Sequence, residues 1–197
     1  CEEKNIRKYA EDGVTPVIEV NDWKNPPKRI PWSTIVEVQS PFETYKAVWD
    51  QDYKGISCFI SCTYYSGFVS RWTSDQLALS QFRSYCPAGI CTKSYLDISS
   101  GVDLSINGER YFLSGQNGLF VLNAKVRRSI IAAGDKTSLS IRVGGNNSAI
   151  YNIGEETTAA ISKLIKEAKK EDEAFSAKGL KINLSNAIST SDKVGPI

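Results

Sequence analysis

Histidine and methionine are both absent from this chain of 197 residues. Without an imidazole the chain lacks Ser–His–Asp and Cys–His catalysis, histidine metal sites and a pH switch near neutrality. The phosphate-binding motifs GxxxxGK(S/T) and GxGxxG are absent as well. No window approaches the roughly 18 consecutive apolar residues that a membrane helix needs. These absences leave carboxylate chemistry and binding as the functions still open to the chain.

The chain also has little net charge. It carries 24 basic and 22 acidic residues, which gives a formal charge of +2. Such a balance provides no electrostatic basis for binding nucleic acid or an anionic membrane surface. Hydrophobic residues make up 41% and charged residues 23%, which is ordinary for a globular body. The length suits one domain with extensions, or two small units packed together.

The first residue is Cys1, and Glu2, Glu3 and Lys4 follow it. Because methionine is absent, we expect a processed product from which a signal peptide has been removed. A mature chain that begins with cysteine and continues into a polar arm resembles bacterial lipoproteins, in which that cysteine carries the lipid. The resemblance implies a lipid on Cys1, and Glu2 favours the outer membrane, with the body facing the periplasm.

The other four cysteines fit an oxidising compartment, because their number is even. Cys58 lies close to Cys62 in the sequence, and Cys86 lies close to Cys91. We predict that all four form disulfides; the alternative is a four-thiolate zinc site. If residues 56–62 form a strand, Cys58 and Cys62 lie about 13 Å apart, so each pairs with Cys86 or Cys91. If this stretch is a turn, local bridges 58–62 and 86–91 are possible.

Three segments are predicted. Residues 1–32 form an N-terminal arm with a proline-rich connection, residues 33–184 an α+β globular domain, and residues 185–197 a C-terminal tail. In the connection, Trp23 and Trp32 flank three prolines. The two rings either pin the segment by local packing or contribute to a partner-binding surface.

The pattern of elements predicts an α+β fold, with a mostly antiparallel sheet, hairpins, short helices and one longer C-terminal helix. The clearest hairpin signal is the dipeptide Asn107-Gly108, which supplies two left-handed turn positions between alternating strands. A second hairpin is predicted around the sequence GGNN. Further strands are predicted at 16–20, 34–39, 56–65 and 118–122.

Two stretches resemble helix starts. Ser40 and Glu43 form a capping box that predicts a helix over 41–50. Thr73 and Gln76 have the same spacing and favour a helix over 75–84, with a strand as the alternative.

Two further helices are predicted toward the C-terminus. Asn123 as N-cap and Gly134 as a stop bound one of them. A longer helix follows Gly154 and ends at Gly179, and a late strand is predicted at 180–184.

Few side chains suggest chemistry. Asp50 and Asp52 lie two positions apart beside aromatic residues, and on an extended segment both carboxylates would face the same way. Paired acids of this kind suggest a glycan site; the alternative is a helix end and a solvated turn. Lys125, Arg127 and Arg128 form either a basic contact point for a partner or one solvated helix face.

The sequence favours a binding protein over a catalyst. We expect a non-enzymatic lipoprotein, anchored through Cys1, whose body binds other envelope proteins in a multi-subunit assembly such as a secretion or motility apparatus. One alternative is an immunity or exclusion lipoprotein that binds a toxin or a phage protein. Another is a secreted, carboxylate-dependent glycan hydrolase. No metal, cofactor or nucleic-acid partner is expected.

Overall fold

The computed structural model describes residues 8–27, 29–57, 63–87, 90–98, 101–144 and 148–191, and side chains are described except at 54–57, 63–64, 135 and 177–191. The chain divides into two compact units, Cys1–Ile165 and Lys166–Ile197. The first unit contains both β-sheets, and the described part of the second unit is the continuation of the last helix.

The described residues contain twelve strands and two α-helices. In chain order they are β1 (Val17–Glu19), β2 (Ile35–Gln39), β3 (Thr44–Ser57), β4 (Thr63–Trp72), β5 (Gln76–Tyr85), β6 (Thr92–Leu96), β7 (Val102–Ile106), β8 (Glu109–Leu113), β9 (Gly115–Gln116), β10 (Leu119–Val121), α1 (Ala124–Ala133), β11 (Leu139–Val143), β12 (Ala149–Ile153) and α2 (Glu155–Ser191).

The strands form two sheets. The larger has the order β1-β2-β3-β4-β5-β10-β9, and β6 pairs with β5 beyond the segment that β10 occupies. The smaller has the order β12-β11-β7-β8. Every pairing between the described strands is antiparallel except that of β1 with β2. The predicted α+β fold with a mostly antiparallel sheet is therefore confirmed.

The main core is built from alternating side chains. Successive residues of a strand point to opposite faces, so Val102, Leu104 and Ile106 lie inward together. They pack with inward residues of the larger sheet, including Phe68 and Trp72. Both helices contribute apolar side chains to the same cluster. Burying each side chain of this size stabilises the fold by about 1.5–3 kcal/mol. The helix residues in the cluster are Val126, Ile130, Ile161, Leu164 and Ile165.

Several local predictions are confirmed. Asn107 and Gly108 have φ angles of 50° and 86°, and they join β7 to β8 as the dipeptide predicts. The Asn123 side chain accepts a 3.0 Å hydrogen bond from the Val126 amide, and α1 ends before Gly134, whose φ is 66°. Strands β11 and β12 pair as predicted, although the centre of their turn lies outside the described residues.

The helices predicted over 41–50 and 75–84 are wrong, because both stretches belong to strands. Ser40 accepts from the Glu43 amide at 3.0 Å, and Thr73 accepts from the Gln76 amide at 3.1 Å. In each case the chain also closes a backbone hydrogen bond and turns back as a hairpin. A hydroxyl that accepts a hydrogen bond from the amide three residues later stabilises a tight turn as well as the start of a helix. Buried residues on both faces of β5 then favour the strand.

The predicted late strand at 180–184 is also wrong. Helix α2 continues through Gly179 to Ser191 and so also enters the stretch predicted as a tail. A glycine inside a helix costs only about 1 kcal/mol relative to alanine. That cost is too small to end a helix when the residues on both sides remain helical.

Candidate functional site

Residues 20–27 and 29–32, which follow β1, cover part of the outer face of β2, β3 and β4, the face turned away from the smaller sheet. A second buried cluster forms there, separate from the main core. Trp49 is fully buried in it, and its indole N–H donates to the Trp23 carbonyl at 3.1 Å. This bond fixes the connection to the sheet. The buried members are Ile30, Val36, Val38, Ala47, Trp49 and Val69, and Trp23 and Trp32 pack against them partly buried.

Trp23 takes part in a cation–π cluster beneath the connection. The guanidinium of Arg71 lies 5.9 Å from the Trp23 ring and 5.5 Å from the Tyr45 ring. Arg71 Nη1 also donates to the Tyr45 hydroxyl at 2.9 Å. Cations over aromatic faces contribute about 0.5–2 kcal/mol. Trp23 therefore helps to pin the connection, which is the local-packing alternative stated for it.

Trp32 has a different position, because it lines a groove of about 460 Å³. The groove lies between the proline-rich connection and the outer face of the larger sheet. Prolines have fixed φ angles and no backbone N–H, so the connection side of the groove is rigid. The lining residues are Lys24, Asn25, Pro26, Pro27, Trp32, Gln51, Val69 and Lys93. We call this the connection groove.

The two cations of the connection groove differ in exposure, because Lys24 is partly buried and Lys93 is exposed. The Lys24 side chain is 30% exposed, and its Nζ lies 3.9 Å from the exposed carboxylate of Asp97. Lys93 Nζ lies 4.1 Å from the Phe82 ring centre and 5.1 Å from that of Tyr95. Burial lowers the pKa of Lys93. Within the described ranges no carboxylate lies within ion-pair distance of Lys93.

Strand β6 is tied to the connection beside this groove. The Tyr95 hydroxyl donates to the Lys24 carbonyl at 2.9 Å and also contacts the side-chain oxygen of Asn25. Burial raises the pKa of Tyr95, and the nearby charge of Asp22 raises it further. The phenol therefore stays neutral and available as a donor at physiological pH.

A disulfide closes the loop that carries β5 into β6. Cys86 and Cys91 are bonded, with Cα atoms 3.9 Å apart. The local pairing stated for these two cysteines is confirmed, and bonded sulfurs offer no thiolate to zinc. Cys58 and Cys62 lie outside the described residues. Because Lys93 follows Cys91 by two positions, the bridge holds the strand that supplies this cation to the groove.

Asp50 and Asp52 both lie on β3 and face the inner side of the sheet, so the helix-end interpretation is wrong. Burial raises the pKa of Asp50, opposed by hydrogen bonds from the Thr157 hydroxyl and from the Gln51 and Gly154 amides. Ser33 Oγ lies 2.8 Å from Thr157 Oγ1. Asp50 therefore holds the start of α2, which is a structural task.

The basic residues of α1 are divided between two surfaces. Lys125 and Arg128 are exposed and three positions apart, so they share one helix face. Lys125 Nζ lies 5.3 Å from the Tyr111 ring. Arg127 is half-buried, and its Nε is buried without a hydrogen bond. The structure thus places two of the three cations together and separates the third.

Sequence reasoning did not identify Lys24, Gln51, Val69 or Lys93 as groove residues. The only local signal was the alternation in TKSYL, which places Lys93 and Tyr95 on one face of a strand. The partner of that face is set by the β5–β6 register, which the sequence did not reveal. Cys1 lies outside the described residues.

No protein-family model, no curated protein and no solved structure matches this chain. Among the described residues, no helix combines the length and apolar composition required to cross a membrane. The candidate site therefore depends on its own geometry.

Proposed function

We propose that this chain is a non-enzymatic binding subunit of a cell-envelope assembly, and that its connection groove takes an extended segment of a partner protein. The segment presents a carboxylate to Lys93 and Lys24 and apolar groups to Trp32 and the adjacent prolines. The observation that carries the proposal is Lys93, an exposed ammonium that lies over two aromatic rings at a formed groove and has no carboxylate partner among the described residues.

The physical argument concerns the cost of withdrawing a charge from water. The Lys93 side chain is exposed, but its ammonium lies against the faces of Phe82 and Tyr95, which solvate a cation less well than water does. A carboxylate arriving in the groove would complete the compensation. Trp32, Pro26 and Pro27 are ordered before binding, so little conformational entropy is lost there. Grooves of this size commonly bind ligands in proteins.

The Cys86–Cys91 bridge supports a location outside the cytosol, because disulfides persist in oxidising compartments. The lipid on Cys1 stays a prediction. Mass spectrometry of the native N-terminus would test it, and the expected result is a diacyl or triacyl mass on Cys1. An unmodified thiol would remove the lipoprotein argument and leave the groove proposal intact.

The groove is tested by cross-linking followed by charge exchange. A photoreactive amino acid replaces Pro27 in the native cell, and the cross-linked partner peptide is identified by mass spectrometry. We expect an acidic residue in that peptide. Lys93→Glu should then abolish the cross-link, and Lys or Arg at the acidic position of the partner should restore it. Such restoration requires that the two side chains meet.

The matched control places the photoreactive group at Arg128, on the exposed face of α1. A cross-link from both positions to the same peptide would indicate non-specific proximity and would contradict the groove. A Pro27 cross-link that survives Lys93→Glu would overturn the role of the lysine. A toxin or phage protein as the partner would retain the groove and replace the assembly role with the immunity alternative.

The glycan-hydrolase alternative is not carried further. Its candidate pair is Asp50 and Asp52, and Asp50 already accepts hydrogen bonds from the first residues of α2. No observation in the described residues favours a glycan over this structural task.

A further inference from the structure

The outer face of the smaller sheet carries a second set of interacting residues, distinct from the connection groove. The strand register places Phe112, Asp103, Arg142 and Ile150 side by side in one row across β8, β7, β11 and β12. Arg110 lies in the neighbouring row, opposite Ser105. These residues alternate with the inward core residues of the same strands. We call the five residues Asp103, Arg110, Phe112, Arg142 and Ile150 the arginine face.

Asp103 holds the two arginines side by side. Arg110 Nε and Nη2 donate to its two carboxylate oxygens at 2.8 and 2.9 Å. Arg142 Nε and Nη2 both donate to Oδ2, at 3.0 and 2.7 Å. Two guanidinium groups share one carboxylate, so the cluster keeps a net positive charge. The Arg110 and Arg142 side chains are 64% and 50% exposed, which leaves them accessible to a further anion.

Two apolar side chains flank the charged cluster. Phe112 is 65% exposed and Ile150 is 66% exposed. The Phe112 ring lies against Gly101, where an added Cβ would come within 2.3 Å of ring Cζ. Because Gly101 has no side chain, the Phe112 ring packs directly against the backbone there. A single exposed apolar residue is ordinary, but an aromatic and an aliphatic residue around paired arginines have the composition of an interface centre.

We propose that the arginine face is a docking surface for a partner protein that presents an Asp or Glu side chain between apolar side chains. Guanidinium groups bind carboxylates through paired hydrogen bonds. The Nη1 groups of Arg110 and Arg142 form no hydrogen bond with another described residue. Because Asp103 already orders both side chains, the partner's carboxylate meets donors whose freedom has been lost beforehand.

Charge and shape together select this occupant. A free phosphate or an anionic headgroup would satisfy the guanidinium groups but leave Phe112 and Ile150 without a contact. A purely apolar partner would cover the two apolar residues and leave the positive charge desolvated and unpaired, which is costly. An acidic residue with apolar neighbours satisfies both parts of the surface.

A display library of short random peptides tests the proposal with the full chain as the target. Peptides that also bind the Arg110→Gln, Arg142→Gln double variant are removed by counter-selection. We expect the remaining peptides to share an acidic residue flanked by apolar residues. In titrations followed by nuclear magnetic resonance, the most enriched peptide should shift the Arg110 and Arg142 side-chain signals and the Phe112 and Ile150 signals. Its Asn or Gln counterpart should bind at least about tenfold more weakly.

Matched variants separate charge, geometry and apolar contact. Arg110→Lys with Arg142→Lys keeps the charge and loses the planar forks, so it should weaken the peptide by about tenfold. Phe112→Ala should weaken it by several fold, and Arg128→Gln on α1 should have no effect. Circular dichroism confirms that each variant is folded. Enrichment of peptides without an acidic residue, or no enrichment at all, would overturn the proposal.

Two controls exclude other occupants. Inorganic phosphate that competes fully with the peptide, and a peptide that leaves the Phe112 and Ile150 signals unmoved, would reduce the face to a general anion site. Binding to phosphatidylglycerol vesicles in place of peptide would identify a membrane surface. Concentration-dependent dimerisation that the peptide abolishes would identify a second copy of this chain. Each of these results contradicts the proposed partner.

Discussion

The outer faces of the two sheets differ in what covers them. Residues 20–27 and 29–32 cover part of the larger sheet, and Trp49 on its outer face is fully buried. The outer face of the smaller sheet is bare of any other described segment, and Phe112 there is 65% exposed. Both faces combine aromatic residues with arginine, yet Arg71 stacks on rings of its own chain while Arg110 and Arg142 share one carboxylate at the surface.

Aromatic residues and arginine therefore contribute to stability on the larger sheet, whereas on the smaller sheet the same residue types remain accessible to a partner. On the covered face, the chain itself supplies partners for Trp23, Tyr45 and Trp49. On the bare face, Arg110 and Arg142 remain in contact with water, and Asp103 compensates part of their positive charge. A groove remains where the cover ends, at Lys24, Trp32 and Lys93.

The largest expected loss of stability follows from a truncation on the covered face. Trp49→Ala should lower the free energy of unfolding by about 3–5 kcal/mol, because a buried indole and its hydrogen bond are lost. The matched truncation on the bare face, Phe112→Ala, should cost less than about 1 kcal/mol. Urea denaturation followed by circular dichroism measures both. Equal losses at the two positions would contradict the contrast between the faces.

The disulfide is the next test, since it holds the strand that supplies Lys93 to the covered side. Cys86→Ser with Cys91→Ser should lower the free energy of unfolding by about 2 kcal/mol, because the closed loop is short. Each single variant should match the double variant, since either change opens the bridge. Unchanged urea midpoints in all three variants would show that the bridge contributes no stability.

The next test concerns Asp50, which helps to hold the covering segment in place. Ser33, directly after that segment, contacts Thr157, and Thr157 interacts with Asp50. Asp50→Asn keeps an acceptor for the Gly154 amide and should change stability by less than about 1 kcal/mol at neutral pH. The folded-state pKa of Asp50 is raised, so folding favours its protonated form. Relative to Asp50→Asn, the native protein should therefore gain stability as the pH falls from that raised pKa toward 3.8. Urea titrations of both proteins across this range measure the difference, and a constant difference would contradict the raised pKa.

The smallest effect concerns the bare face. Asp103→Asn should lower the free energy of unfolding by about 0.5 kcal/mol, since the pairs are largely exposed. Hydrogen bonds from Arg110, and then from Arg142, lower the pKa of Asp103. The contribution of Asp103 to stability is therefore present above pH 3.8 and lost as the pH falls through the lowered pKa. Asp50 behaves in the opposite way, because its contribution grows as the pH falls. High salt should reduce the difference between native protein and variant, and a salt-independent difference would argue against ion pairing.

Local signals predicted local structure well where they were unambiguous. The Asn107-Gly108 turn and the Asn123 cap acted as their side-chain chemistry requires. The two capping-box patterns at Ser40 and Thr73 failed, because their hydrogen bonds serve hairpin turns equally well. The decision between helix and strand depended on burial of both faces, which is a property of the packed sheet.

The sequence by itself determined the α+β class, the inward residues of the alternating strands and the absence of imidazole chemistry. These follow from residue periodicity and composition, which act over a few positions along the chain. Only the tertiary structure placed Lys93 and Trp32 on one groove and paired Asp103 with Arg142. These residues are far apart in sequence, and strand register and chain crossing bring them together; no local pattern encodes either.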